Sequence, residues 1–114
     1  MHELSIAMSI LDIVKEYAEK ENASEVTEIE IELGSLSGVV SESLVFALEM
    51  ACKNTISEKA EIKILEIKAE AKCKHCNQIF ELENYFAPCP ECKNSGYEIL
   101  KGKELQVKSL KIEQ

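Results

Sequence analysis

The stretch Cys73-Lys74-His75-Cys76, followed after twelve residues by Cys89-Pro90-Glu91-Cys92, decides how this chain folds. Two residues between cysteines let both sulfurs of a pair face one ion from a single tight turn. Twelve more residues suffice for a short hairpin to bring the second pair round and close a tetrahedral four-sulfur site. Such a donor set suits zinc best, and iron accepts the same ligands. Two disulfides or a redox pair are the competing readings. The opening residues carry no secretory signal, which predicts a reducing, cytoplasmic compartment and argues against disulfides. A second CxxC so close by makes a redox role unnecessary. Four protein thiolates leave no open position for water or substrate, so Cys73, Cys76, Cys89 and Cys92 are expected to hold a structural Zn2+.

Residues 70–102 around these cysteines are too few to build a core of their own, so the metal must supply much of their folding energy. Pro88 and Pro90 fix φ and remove two donors at the second turn. His75, between two ligands, is read as pointing to solvent. Cys52, the fifth cysteine, is read as a small buried hydrophobe.

On the amino-terminal side, Leu4, Ala7, Met8, Leu11, Val14 and Ala18 recur at helical spacing, with Asp12, Lys15, Glu16 and Glu19 opposite. Asn22-Ala23-Ser24 breaks that helix. From Val26 to Leu33, Ile29, Ile31 and Leu33 alternate with Glu28, Glu30 and Glu32, which is a strand with one dry face. The glutamate face is read as solvated surface. Gly34 and Gly38 lie in a loop that can use positive φ. A second helix is expected from Ser41 or Ser43, either able to cap it, to about Lys53, with Leu44, Ala47, Leu48 and Ala51 on its apolar stripe. Residues 60–69 read as a strand whose phase slips near Leu65. Glu104 to Ile112 slips likewise between Val107 and Leu110, so the two are expected to be partners. The fold class is therefore α+β: a small two-helix domain with a three-stranded sheet, residues 1–69 plus 103–114, and an inserted zinc-ribbon lobe, residues 70–102.

Composition narrows the function. The chain of 114 residues has 13 lysines, no arginine and 21 acids, for a net charge of −8. Four thiolates around one Zn2+ make the total more negative still. A zinc ribbon that reads nucleic acid needs Lys/Arg stripes to meet phosphates, so nucleic acid is disfavoured as a partner. A protein-interaction ribbon remains the alternative. No apolar run approaches the length that spans a bilayer, so no membrane partner is expected. No nucleophile–base pair or open metal site suggests an enzyme.

The first residues, Met1-His2-Glu3, carry a second metal signal. A free α-amine, the deprotonated amide of His2 and its imidazole reach one ion through fused chelate rings. That nitrogen-rich set suits square-planar Ni(II) or Cu(II), and Glu3 can add an oxygen or orient the imidazole.

Met1-His2-Glu3-Leu4-Ser5, the Glu32-Leu33-Gly34 strand end and the two CxxC pairs together resemble the HypA (HybF) family of nickel metallochaperones for [NiFe]-hydrogenase maturation. The resemblance runs the length of the chain. It implies an α/β nickel-binding domain, residues 1–69 plus 103–114, carrying the inserted zinc domain. It implies Ni2+ held by the Met1 amine and by the backbone and side chain of His2, with Glu3 contributing. It also implies delivery with a HypB-type GTPase to the hydrogenase large subunit, and in some relatives service to urease. Family members can carry an acidic residue before the second helix that assists nickel. Here the stretch is Gly38-Val39-Val40-Ser41-Glu42, where only Glu42 qualifies. A monomer or weak homodimer is expected.

Overall fold

The computed structural model describes residues 2–85 and 87–114, with His2 described by its backbone only. Two α-helices and six strands follow in the order α1 (His2–Lys20), β1 (Glu25–Gly34), α2 (Ser41–Ala51), β2 (Glu61–Ile67), β3 (Glu70–Cys73), β4 (Ile79–Glu81), β5 (Tyr97–Lys101) and β6 (Leu105–Glu113). They form two three-stranded sheets, β2-β1-β6 and β4-β3-β5. The class is mixed α+β. Backbone contacts divide the chain into a first unit, 1–32, 39–65 and 106–114, and a second, 33–38 and 66–105.

In the first unit α1 ends as its sequence demands. Asn22 takes the left-handed conformation at φ 54, and the amides of Asn22 and Ala23 bond back to Glu19 and Ala18. The buried stripe of α1 is Ala7, Ile10, Val14 and Ala18. Leu4 and Met8, expected on that stripe, are 43% and 51% exposed. The apolar arc of α1 is wider than the face its neighbours cover, and periodicity alone does not locate its centre. The helix α2 buries Leu44, Ala47 and Leu48 and packs on α1. Its N-cap is Val40, at φ −83 and ψ 122, with no side-chain cap bond. Ser41 and Ser43 thus lie inside the helix, because the extended backbone turns one residue earlier than the serines suggest. Cys52, its C-cap, is 2% exposed, in keeping with a small core residue. Burial raises its thiol pKa, with Glu49 adding to the effect.

The two slipping strands are not partners: β1 lies between them. Its interior explains the order. Val26, Ile29 and Ile31 are fully buried, whereas neither β2 nor β6 contains a fully buried residue, so β1 takes the central place. Each fully buried isoleucine contributes roughly 1.5–3 kcal/mol by removal from water. The pairings Ser24–Glu113, Thr27–Lys111 and Glu30–Ser109 run in opposite senses, so β6 is antiparallel to β1. Glu28–Lys63 and Ser35–Ile67 advance together, so β2 is parallel to β1 with α2 as the crossover.

The glutamate face of β1 is not simply solvated. Glu28 is 7% exposed and lies 2.9 Å from Lys63 Nζ and 3.6 Å from Lys111 Nζ. Glu30 accepts from Ser109, and Glu32 accepts from Gln106. The lysines flanking β1 in space supply what sequence neighbours do not. The hydrogen bond from Lys63 holds the Glu28 carboxyl below the usual range against the opposing effect of burial, and Lys63 is raised in return.

In the second unit, β3 pairs antiparallel with β4 and β5, with a register shift between Glu70 and Ala71. A compact core joins Ala69, Ala71, Cys73, Phe80, Leu82 and Cys89. Phe80 meets Tyr97 edge-on at 6.4 Å. Gly34 does not use positive φ; its role is steric. A Cβ there would meet the carbonyl oxygen of Gly102 at 2.1 Å, while Gly34 donates to Glu104 and Leu36 donates to Gly102. Gly102, at φ 120, needs glycine on both counts, since a Cβ would also meet Ala69 at 2.4 Å.

Candidate metal centre

The two cysteine turns repeat one hydrogen-bond scheme. The Cys73 amide donates to Gln78 O at 2.9 Å, and the Cys89 amide donates to Asn94 O at 3.0 Å. Within each, the residue after the second cysteine folds back: Asn77 donates to Cys73 O at 3.0 Å, Lys93 to Cys89 O at 2.9 Å. Both residues have positive φ, 63 and 64. Asn tolerates that region, and lysine adopts it at a cost of about 1–2 kcal/mol. Glycine is the usual residue for this conformation.

The scheme brings all four Sγ atoms within 4.8 Å of one another. Cys73 and Cys92 sulfurs are 3.4 Å apart, Cys76 and Cys89 sulfurs 3.6 Å. A tetrahedron with Zn–S bonds of about 2.3 Å has edges of about 3.8 Å, so the cluster fits one zinc ion. No pair is bonded as a disulfide. Cys73 and Cys89 are buried within the core of the second unit, and Cys76 reaches the surface.

Donors converge on the sulfurs. The His75 amide and the Asn94 side-chain amide each lie 3.4 Å from a sulfur, of Cys73 and Cys92 respectively. Backbone and side-chain donation from Asn94 brings the Cys92 thiol down to about 6. The Gln78 amide pulls Cys76 the same way, but burial and the three neighbouring sulfurs outweigh it and push that thiol up to about 12. Four acids in so small a volume cannot all ionise without a cation to hold them. Gln78 and Asn94 were missed as supporting residues. Their signal was positional: each stands two residues after the second cysteine of its pair. His75 is exposed as expected, and a Cβ on Gly96 would lie 3.4 Å from its Nε2.

Of the expected nickel ligands, Met1 lies outside the described residues. His2 is described by its backbone, as the first residue of α1. Glu3 is half-buried in the first turn of α1, and Glu42 is exposed in the first turn of α2. No helix among the described residues is long and apolar enough to cross a membrane.

Residues 1–112 match the HypA family, described as hydrogenase/urease nickel incorporation, metallochaperone. This chain belongs to the HypA family. It is 49% identical over 112 residues to the hydrogenase maturation factor HypA of Parabacteroides distasonis, spanning 98% of this chain and 97% of that one. It is 44% identical to the HypA of Chlorobaculum parvum over 99% and 100% of the two chains. The fold agrees with the solution structure of the Ni metallochaperone HypA from Helicobacter pylori, at TM-score 0.70 and 24% identity over 97% of each chain. A second HypA solution structure gives TM-score 0.73 at 25% identity, over 98% of this chain and 96% of that one. The HypA family binds nickel and zinc, and the four-cysteine cluster fits the structural zinc.

Proposed function

We propose that the chain is a non-enzymatic nickel carrier with its labile site at the amino terminus and its stable metal in the cysteine cluster. Ni(II) is the cargo. The Met1 amine, the His2 amide and imidazole, and Glu3 bind it, in a site shallow enough to hand it on. Cys73, Cys76, Cys89 and Cys92 hold zinc with no open position, so that ion has a structural or regulatory role and is not itself the cargo. The receiving protein is the large subunit of a [NiFe]-hydrogenase, reached with a HypB-type GTPase in the cytoplasm, and urease is a further client.

The family match over residues 1–112 carries this reading. It gains support from Met-His-Glu at positions 1–3, whose terminal amine, amide and imidazole make the nitrogen-rich set that suits Ni(II). Because an α-amine titrates near pH 8, nickel binding is expected to tighten as pH rises through that range.

The test is titration of Ni(II) into the zinc-loaded protein, into His2→Ala, and into a variant with one residue added before Met1. Loss of nickel binding in both variants, with zinc content unchanged, is the expected result. Undiminished binding in both would refute the terminal site.

A further inference from the structure

A groove of about 640 Å³ opens in the first unit between α1, the end of α2 and the turn 54–57. Its apolar lining comes from Met8 and Leu11 of α1, Ala51 of α2, and Ile56. Met8 is 51% and Ile56 40% exposed, and Leu4, one turn before Met8 on the same helix, is 43% exposed. These α1 residues are the part of its apolar stripe that no neighbour covers. Apolar side chains gathered in an open groove mark an interaction surface, unlike apolar residues scattered singly. Methionine adds adaptability, since its thioether arm fills irregular gaps.

Charge narrows the occupant. The charged residues at the groove are Asp12, Lys15 and Glu19 of α1. The two helices together carry Glu3, Asp12, Glu16, Glu19, Glu42 and Glu49 against Lys15 and Lys20, while 54–57 has no charge. The complementary surface is therefore apolar with a basic border. A second copy's helices are acidic themselves, and anionic lipid or nucleic acid meets the same repulsion.

Shape narrows it further. No strand lines the groove among the described residues, so an extended segment finds no backbone edge to pair with there. A helix needs none, because it enters a groove by side chains at i, i+3, i+4 and i+7. The lining residues of α1 run from Met8 to Glu19, about 16 Å at about 1.5 Å per residue, or about three helical turns.

We infer that this groove is the docking site for a basic amphipathic helix of a partner protein. Its apolar anchors seat on Met8, Leu11 and Ile56, and its lysines or arginines meet Asp12 and Glu19. The docking goes beyond the nickel reading and does not depend on it. Because α1 begins at His2, the docked helix lies along the same helix that follows the proposed nickel-binding residues.

The experiment uses the full zinc-loaded chain without nickel. The probe is a capped, fluorescently labelled peptide of about fourteen residues, with leucine at helical spacing and lysine elsewhere. Anisotropy is expected to show binding that weakens with added salt and falls at least about tenfold in Met8→Glu and in Ile56→Glu. Both residues are exposed, so the variants keep their fold, checked by unchanged zinc content and amide spectrum. A peptide of the same composition with its leucines out of helical phase is expected to bind at least about tenfold more weakly, as is one with glutamate in place of lysine. Asp12→Lys combined with Glu19→Lys is expected to reverse the preference toward the glutamate peptide. Equal binding of the three peptides, or binding indifferent to Met8→Glu and Ile56→Glu, overturns the inference. So does self-association of the wild type that Met8→Glu abolishes, which gives the groove to a second copy, or binding to anionic vesicles that the same substitution removes. His2→Ala is expected to leave peptide binding unchanged, so failure of the terminal nickel site and failure of the groove read out separately.

Discussion

The two units of this chain reach stability by different routes. In the first, the interior is aliphatic: Val14, Val26, Ile29, Ile31, Leu44 and Leu48 are almost wholly removed from water. In the second, two of the six buried core residues are Cys73 and Cys89, which belong to the cysteine cluster. Sulfurs that carry charge when metal-bound thus occupy places an aliphatic side chain would fill in the first unit. An aliphatic core needs only the chain, whereas a core containing thiolates needs a cation, since uncompensated charge cannot remain in so little volume.

Removing the metal is the hardest way to break this contrast. Chelation, or Cys89→Ser, is expected to abolish amide protection across 70–101 while α1, β1 and α2 keep theirs. The binding energy at stake is on the order of 10 kcal/mol. Hydrogen exchange read residue by residue decides it, and equal loss in both units would show that they fold as one.

The converse change is smaller. Ile29→Ala opens a cavity under β1 and is expected to cost about 2–5 kcal/mol in denaturant unfolding of the first unit, with zinc stoichiometry unaltered. Smaller again, Lys93→Gly relieves the left-handed conformation at φ 64 and is expected to strengthen the second knuckle by about 1 kcal/mol. Competition of both proteins against a chelator would register this as a roughly fivefold gain in zinc retention. Reduced retention would mean that the lysine ammonium matters more than its backbone.

The smallest effect belongs to the polar face of β1. Glu28 titrates below the ordinary carboxylate range because Lys63 donates to it. Its contribution to stability is therefore complete above that ordinary range and is lost as pH falls through the lowered value. Lys63, raised by the same contact, contributes below the ordinary lysine range and loses that contribution as pH rises through its own higher value. Glu28→Gln should flatten the acid limb of a Tm-against-pH curve, leaving zinc content alone. An unchanged acid limb would show that the pair is energetically silent, as many exposed ion pairs are.

How much of this was legible in the sequence differs by interaction range. Local rules were sufficient for the two helices, the alternation of β1, the phase slips of β2 and β6, and the two knuckles. Each of these is written within about ten residues, and turn chemistry such as Asn22 at a helix end acts over fewer. The order of the sheet was not legible, because Ile62–Ile67 and Leu105–Ile112 match each other as well as either matches β1. Only the depth of burial of β1 made it central. The centre of the α1 stripe failed for the same reason, since Leu4 and Met8 satisfy the helical period but find no neighbour to cover them.

The cysteine spacing by itself determined that four sulfurs would meet around one ion, because CxxC geometry is set inside the turn. The opening Met-His-Glu and the acidic, arginine-free composition were likewise complete in the sequence. Tertiary structure alone decided that Glu28 would be enclosed by Lys63 and Lys111, and that Gly34 would have to pass against Gly102. It also decided that Gln78 and Asn94 would support the sulfurs. The physical reason is one of distance along the chain. Backbone conformation and metal spacing answer to nearby residues, whereas charge compensation and steric clearance depend on residues as far as 83 positions away that only the folded chain brings into contact.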